Sequence, residues 1–243
     1  LRFGIAFLAV GLIFIPWLRR TKRKTLMYGS LLGLMLFGVF VFLMYGLKTT
    51  SAASAGFLTS TTVTFVPIFH ACITRRLPGG SLILGTLLTL SGICLLTLRE
   101  SFSIHSGDLL CISGAALYAC HIILTDHLTA QEDGLLLGVW QLGFAGLYGI
   151  IATILFETPA LPANGAQWWA VLGLALVCSA FGFVVQPVAQ RYTTPEHTGL
   201  LFALEPVFSA LFAFIFLHET LSIQGWLGAG FVLCGITAAS RNR

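Results

Sequence analysis

Charged side chains are scarce in this sequence. Asp, Glu, Lys and Arg together make up 9% of 243 residues, against about 25% in a soluble domain. A surface so poor in charge excludes water as the solvent on every side. Paired cysteines are also missing: none of the six (72, 94, 111, 120, 178 and 234) belongs to a CxxC pair, which argues against disulfides and metal sites. The motifs HExxH, GxSxG and GxxxxGKS/T do not occur, so neither a hydrolytic constellation nor a nucleotide-driven step is indicated, and nothing calls for a cofactor. No filter sequence or ring of like charges points to a channel. The net charge of +4 does not indicate nucleic acid either, because five of the 13 basic residues crowd into one short loop, Arg19, Arg20, Lys22, Arg23 and Lys24.

Apolar residues are abundant, at 57%, with a mean hydropathy of +0.92. They recur in segments of about 20, the length that crosses a hydrocarbon core roughly 30 Å thick. Nine such segments are expected, at approximately 1–18, 26–47, 52–74, 81–99, 106–125, 135–156, 167–190, 196–217 and 222–240. Runs such as Leu31–Met44 and Phe208–Leu217 are apolar on every face. They fit lipid-embedded helices rather than the alternating strands of a β-barrel. The fold class is therefore an all-α polytopic membrane protein with the lipid bilayer as its surroundings.

Lysine and arginine orient it. With the Arg19–Lys24 loop in the cytoplasm, the cytoplasmic connections also hold Arg75, Arg76, Arg191, Arg241 and Arg243, while the outer ones hold only Lys48 and Arg99, with Arg2 at the outer end. That bias predicts a cytoplasmic C-terminus. The first residue is Leu1 and the first segment is short, with no basic region or small-residue cleavage site to make it a signal peptide, so the chain is expected to begin inside a helix.

A shift of 143 residues lays Lys48–Thr97 on Arg191–Ser240 without a gap: Thr50 meets Thr193, Gly56 meets Gly199, Leu58 meets Leu201, Phe65 meets Phe208, Phe69 meets Phe212, Gly85 meets Gly228 and Gly92 meets Gly235. The first copy of this helix pair starts outside and the second inside, so the copies are expected to be inverted. Residues 1–100 and 101–243 form the two halves. The second half holds five segments and the first four, so one helix is expected to be missing from the front of a ten-helix, two-bundle architecture. Inverted repeats of this kind belong to alternating-access transporters.

Several stretches carry a family likeness. Gly107-Asp108-Leu109-Leu110 opens the second half; Leu204-Glu205-Pro206-Val207 is followed by His218-Glu219-Thr220-Leu221 and then Gly225-Trp226-Leu227-Gly228; the first half has Ala55-Gly56-Phe57-Leu58-Thr59 and Phe65-Val66-Pro67. In order and spacing they resemble the EamA family of the drug/metabolite transporter superfamily over essentially the whole chain. The resemblance implies two inverted five-helix halves in an inner membrane. It also implies export or exchange of small metabolites, such as amino acids or related compounds, through a central cavity.

Polar groups inside the spans mark candidate sites, since ionisable residues at membrane depth face a cavity or a partner. Helical spacing puts Gly114, Tyr118, His121 and Thr125 on one face, Ser179, Gly182, Gln186 and Gln190 on another, Thr198, Glu205 and Ser209 on a third, and Thr59, Thr62 and His70 on a fourth. Glu205 is the sharpest candidate: a carboxylate near mid-membrane, expected to be buried, able to bind a proton or a cationic substrate group. His121, Gln186, Tyr118, Thr62 and Tyr45 are the other candidates for substrate binding or coupling. Each also has a structural reading: glue between helices for His121 and Gln186, ordinary packing for Tyr118 and Tyr45. Pro206, Pro187 and Pro67 are expected to shape helices around the cavity. Asp108 is expected to cap a helix starting near 109, and Trp168, Trp169 and Trp226 to anchor at the interface. The glycine pairs at seven-residue spacing suit close helix packing. A small-molecule substrate and secondary transport follow as the leading reading. A channel, a structural or assembly role and an intramembrane enzyme are the competing ones. A monomer and a homo-oligomer are equally compatible with the sequence.

Overall fold

The computed structural model describes residues 1–50, 52–97, 106–156, 161–217 and 223–240. Arg99, the His218–Leu221 stretch with Glu219, Arg241, Arg243 and the side chain of Ser209 lie outside the described residues. The described residues form α-helices: α1 (Arg2–Ile13), α2 (Ile15–Leu18), α3 (Arg23–Gly46), α4 (Ala52–Ser60), α5 (Thr62–Thr74), α6 (Gly80–Thr97), α7 (Ser106–Thr129), α8 (Gly134–Phe156), α9 (Gly165–Gly173), α10 (Gly182–Gln190), α11 (Pro195–Phe202), α12 (Glu205–Leu217) and α13 (Ile223–Ser240). A π-helical stretch, Leu174–Phe181, joins α9 to α10. Among the described residues, six spans, counted with their joined segments, are long and apolar enough to cross a membrane. Large apolar side chains such as Leu8, Leu12, Ile154 and Phe181 are exposed around the outside. The molecule is an all-α polytopic membrane protein.

The helices form two compact units, Leu1–Gly38 with Leu124–Thr193, and Val39–Ile123 with Thr194–Arg243. In the first, Ala6 and Val10 of α1 pack on Val139 and Leu142 of α8 and on Ala180 and Val184. Gly134 and Gly138 let α8 approach the α10 region closely: a methyl on Gly134 would lie 2.8 Å from the Pro187 carbonyl oxygen, and one on Gly138 2.9 Å from that of Phe183. At the end carrying the basic loop, the Trp140 indole N–H donates to Thr21 Oγ1 at 2.9 Å and Thr25 donates to Glu132 at 2.8 Å. Asn164 starts α9 as an extended residue whose side chain accepts the Gln167 N–H at 2.9 Å. Replacing it with alanine should lower stability by about 1 kcal/mol, read as a small fall in the melting temperature of the purified protein.

In the second unit, α6 and α13 run along one another at backbone contact. A methyl on Gly85 would lie 2.6 Å from the Gly235 carbonyl oxygen, and one on Gly92 would lie 2.6 Å from that of Gly228. In lipid, apolar burial gives no net attraction between helices, so such close approach is a main source of association. The glycines singled out by their seven-residue spacing are thus packing positions. Asp108 lies inside its helix rather than ahead of it. α7 begins two residues earlier, at Ser106, and the buried Asp108 carboxylate, in its first turn, accepts from Thr50 Oγ1 at 2.5 Å. An acidic group there is still favourably placed against the helix dipole. Trp168, Trp169 and Trp226 are exposed, as interfacial anchors would be.

Candidate functional site

Two spans of the second unit are interrupted, and at matching points. The segment 52–74 breaks at Thr61, between α4 and α5; the segment 195–217 breaks at Ala203 and Leu204, between α11 and α12. At the first break the Thr61 N–H turns back to the Leu58 carbonyl at 3.2 Å; at the second, the Leu204 N–H turns back to the Leu201 carbonyl at 3.1 Å. Leu58 and Thr61 are the partners of Leu201 and Leu204 under the 143-residue shift. The tight turn therefore occurs at the same register in both copies. An interruption at membrane depth leaves backbone groups outside the helical ladder, which lipid cannot satisfy, and is tolerated where it is buried in protein or lines a polar cavity. Counting 1.5 Å per residue, Leu204 lies about 14 Å along its span from Pro195, near half the thickness of a bilayer core.

α7 reaches both turns, through a backbone carbonyl at one and a side chain at the other. The Thr62 hydroxyl, buried, lies 2.7 Å from the Thr59 carbonyl and 3.2 Å from that of Ala115 on α7. One turn further along α7, Tyr118 stacks on the fully buried His121, with ring centroids 5.7 Å apart. Tyr118 also meets Phe202, the last residue of α11, at 5.6 Å. Thr62 thus reaches α7 beside the first interruption, and Tyr118, stacked on His121, meets Phe202 beside the second.

Glu205 stands directly after the second turn, as the first residue of α12 with Pro206 next to it. It is exposed, not buried. The expectation of a carboxylate sunk within a continuous helix is corrected: the break starts a new helix at Glu205, and its side chain projects from that helix's first turn. Among the three prolines, Pro206 alone marks an interruption. Pro67 lies inside α5, six residues beyond the break, and Pro187 inside α10. Tyr45 is not part of this cluster; it is exposed near the end of α3 with the Lys48 ammonium 4.2 Å above its ring.

Gln186 belongs to the first unit, where it is buried and its amide donates weakly to Gln190 at 3.4 Å. Its own carbonyl oxygen is buried without a hydrogen-bond partner. The expected stripe of Ser179, Gly182, Gln186 and Gln190 holds for three: Gly182 is exposed. The π-helical stretch explains this, because its wider turn shifts the angular register that 3.6-residue spacing assumes. Ser179 follows the wide turn, donating to Leu174, five residues back, at 2.9 Å.

Three contacts had no counterpart in the sequence reading. Arg2, assigned to the outer end, donates through Nε to the buried Ser179 hydroxyl at 2.5 Å. The Gln141 amide, fully buried in α8, donates to the Phe183 carbonyl at 2.7 Å. His70 on α5 pairs with Glu196 on α11, and with Arg76 the two line a cavity of about 590 Å³ at that end of the unit. Gln141 could have been noticed as a large polar side chain in an otherwise apolar span. The other two depend on which helices meet. Among the described residues, no group of three His, Cys, Asp or Glu side chains could hold a metal ion.

A model of the EamA-like transporter family matches residues 1–98 and again residues 105–241. The chain belongs to the EamA-like transporter family. As an EamA-like protein it is a membrane transporter. Similar proteins bear the same general name. An "uncharacterized transporter" of Archaeoglobus fulgidus is 27% identical over 236 residues, covering 97% of this chain and 75% of its own. "Uncharacterized transporter YoaV" of Bacillus subtilis is 23% identical over 94% of this chain and 82% of its own. A solved crystal structure, 20% identical, superposes with a TM-score of 0.80 over 100% of this chain and 86% of its own, so the two share a fold.

Proposed function

We propose that this protein is a secondary transporter that exports small metabolites, such as amino acids or related compounds, by alternating access. In this reading the two EamA-like matches, residues 1–98 and 105–241, are inverted halves of one carrier. It sits in an inner membrane with its C-terminus in the cytoplasm. The observation that carries the reading is the pair of interruptions, Thr61 and Leu204, at equivalent positions of the two copies. Paired discontinuous helices of this kind form substrate sites near the midplane of transporters.

The α6–α13 contact supports the inversion. Gly85 of one copy meets Gly235, the counterpart of Gly92; Gly92 meets Gly228, the counterpart of Gly85. Reciprocal contacts of this kind are what a two-fold axis between the copies produces. Glu205, Thr62, Tyr118 and His121 are the residues proposed to line the substrate path beside the turns, with Glu205 binding a cationic group or a coupling proton. Gln186, with its unpartnered buried oxygen, is proposed as a second polar contact in the first unit.

The test is export from cells expressing the full chain, against a panel of amino acids and aromatic metabolites. Expected is selective loss of one compound class from the cells relative to an empty-vector control. A verified, correctly inserted protein that moves no small solute would favour the structural or assembly reading.

A further inference from the structure

Arg20 and Lys22 follow α2, and Arg191 follows α10, yet all three line one cavity of about 330 Å³ in the first unit, together with Thr25, Glu132 and Asp133. A topological preference for basic loops does not require basic residues from separate loops to converge on one hollow. Each of the two carboxylates accepts a hydrogen bond from an uncharged group. Glu132 accepts from Thr25 at 2.8 Å, and Asp133 accepts the Leu135 N–H at 2.9 Å at the start of α8. Among the described residues, neither carboxylate forms an ion pair with Arg20, Lys22 or Arg191.

The helical turns that precede Arg20 are apolar and exposed. Leu12, Ile13, Ile15 and Trp17, on the turns immediately before Arg20, are all exposed. Cations at the mouth of a polar hollow, next to exposed aliphatic and indole side chains, match a molecule with a phosphate at one end and hydrocarbon at the other. Trp17, three residues before Arg20 and exposed, is a side chain of the type that sits between hydrocarbon and headgroups.

We infer that the Arg20–Lys22–Arg191 cavity binds the phosphate of an anionic phospholipid, with acyl chains along Leu12, Ile13, Ile15 and Trp17. Guanidinium groups grip phosphate oxygens in paired hydrogen bonds, and the ammonium adds a point charge. Each basic group near a membrane surface adds a measurable preference for anionic lipid. The two neighbouring carboxylates reduce the total without cancelling it.

The experiment uses the purified full chain in neutral detergent. Phosphatidylglycerol, phosphatidylcholine and inorganic phosphate are added separately, and binding is followed by native mass spectrometry and by melting temperature. Phosphatidylglycerol is expected to bind roughly tenfold more tightly than phosphatidylcholine and to raise the melting temperature, with inorganic phosphate doing neither. The triple variant Arg20→Gln/Lys22→Gln/Arg191→Gln should lose the preference. The double variant Arg75→Gln/Arg76→Gln, which removes charge from a different loop, should keep it. Equal lipid preference in wild type and triple variant overturns the inference, as does equal loss in the double variant. Inorganic phosphate that stabilises as well as the lipid overturns it too, because the cavity would then be a solute-anion site. If the triple variant does not fold, the single Arg191→Gln variant, expected to lose part of the preference, decides.

Discussion

Gly92→Ala is expected to destabilise the protein by about 1–3 kcal/mol, the range found when a methyl is forced into a well-packed contact, and Gly92→Leu to prevent recovery of folded protein. The reason is local and severe. A methyl at position 92 would sit 2.6 Å from the Gly228 carbonyl oxygen and 2.7 Å from the Val232 nitrogen, both backbone atoms that cannot swing aside. The α6–α13 seam has no compensating hydrophobic drive in lipid, so separating the helices forfeits dispersion contacts outright. Gly230 of α13 is the matched control: nothing lies within 4 Å of a methyl placed there. Gly230→Ala should leave the melting temperature in detergent within about a degree of wild type, its better helix propensity offering a slight gain. Equal behaviour of the two alanine variants would contradict the packing described for this seam.

Glu205→Gln is expected to lower export by about tenfold or more at equal membrane abundance. Glutamine keeps the size and removes the charge. A hydrogen bond to a charged group contributes about 1.5–3 kcal/mol, which corresponds to roughly 10- to 150-fold in rate when it is lost from the transition state. Because Glu205 is exposed at the first turn of α12, the variant should fold and insert normally, so reduced flux cannot be assigned to reduced protein. Glu205→Asp, which retains the charge on a shorter arm, should fall between the two. The measurement is efflux from preloaded cells with the protein quantified in the membrane fraction. Undiminished efflux in Glu205→Gln would remove Glu205 from the substrate path while leaving the transporter.

Much of this is legible in the sequence. Hydrophobic length marks the spans, and glycine spacing marks the α6–α13 seam, because both depend on composition along a single helix. The turn at Thr61 was not legible. Neither Thr61 nor its neighbours are strong helix breakers, and Pro67, the residue that invites attention, lies six positions beyond it inside α5. The break becomes visible only through its hydrogen bonds and its match to Leu204. The π-helical stretch Leu174–Phe181 is hidden for a similar reason: LALVCSAF reads as an ordinary apolar helix, yet its wide turn moves Gly182 out of the stripe predicted for it.

The site residues divide along the same line. Periodicity puts Tyr118 and His121 on one face of α7, and they do stack there, because a face defined by 3.6-residue spacing survives wherever the helix is regular. Glu205 stands out in the sequence as a polar group beside a proline, but its exposure does not, since a new helix begins there. Phe202, Arg2 and Glu196 owe their places to pairings between distant segments, which local patterns do not encode.

The proposed alternating access requires that the paired interruptions line a path opened in turn to each side of the membrane. Its most direct test replaces the six native cysteines (72, 94, 111, 120, 178 and 234) with serine or alanine. Single cysteines are then placed at positions 61 and 204 in a background that still exports. A membrane-impermeant thiol reagent is applied from outside, and separately to inverted vesicles. Both positions are predicted to react from both sides, with exported substrate shifting the balance between them. Cysteines that react from one side only, or from neither, would contradict the account.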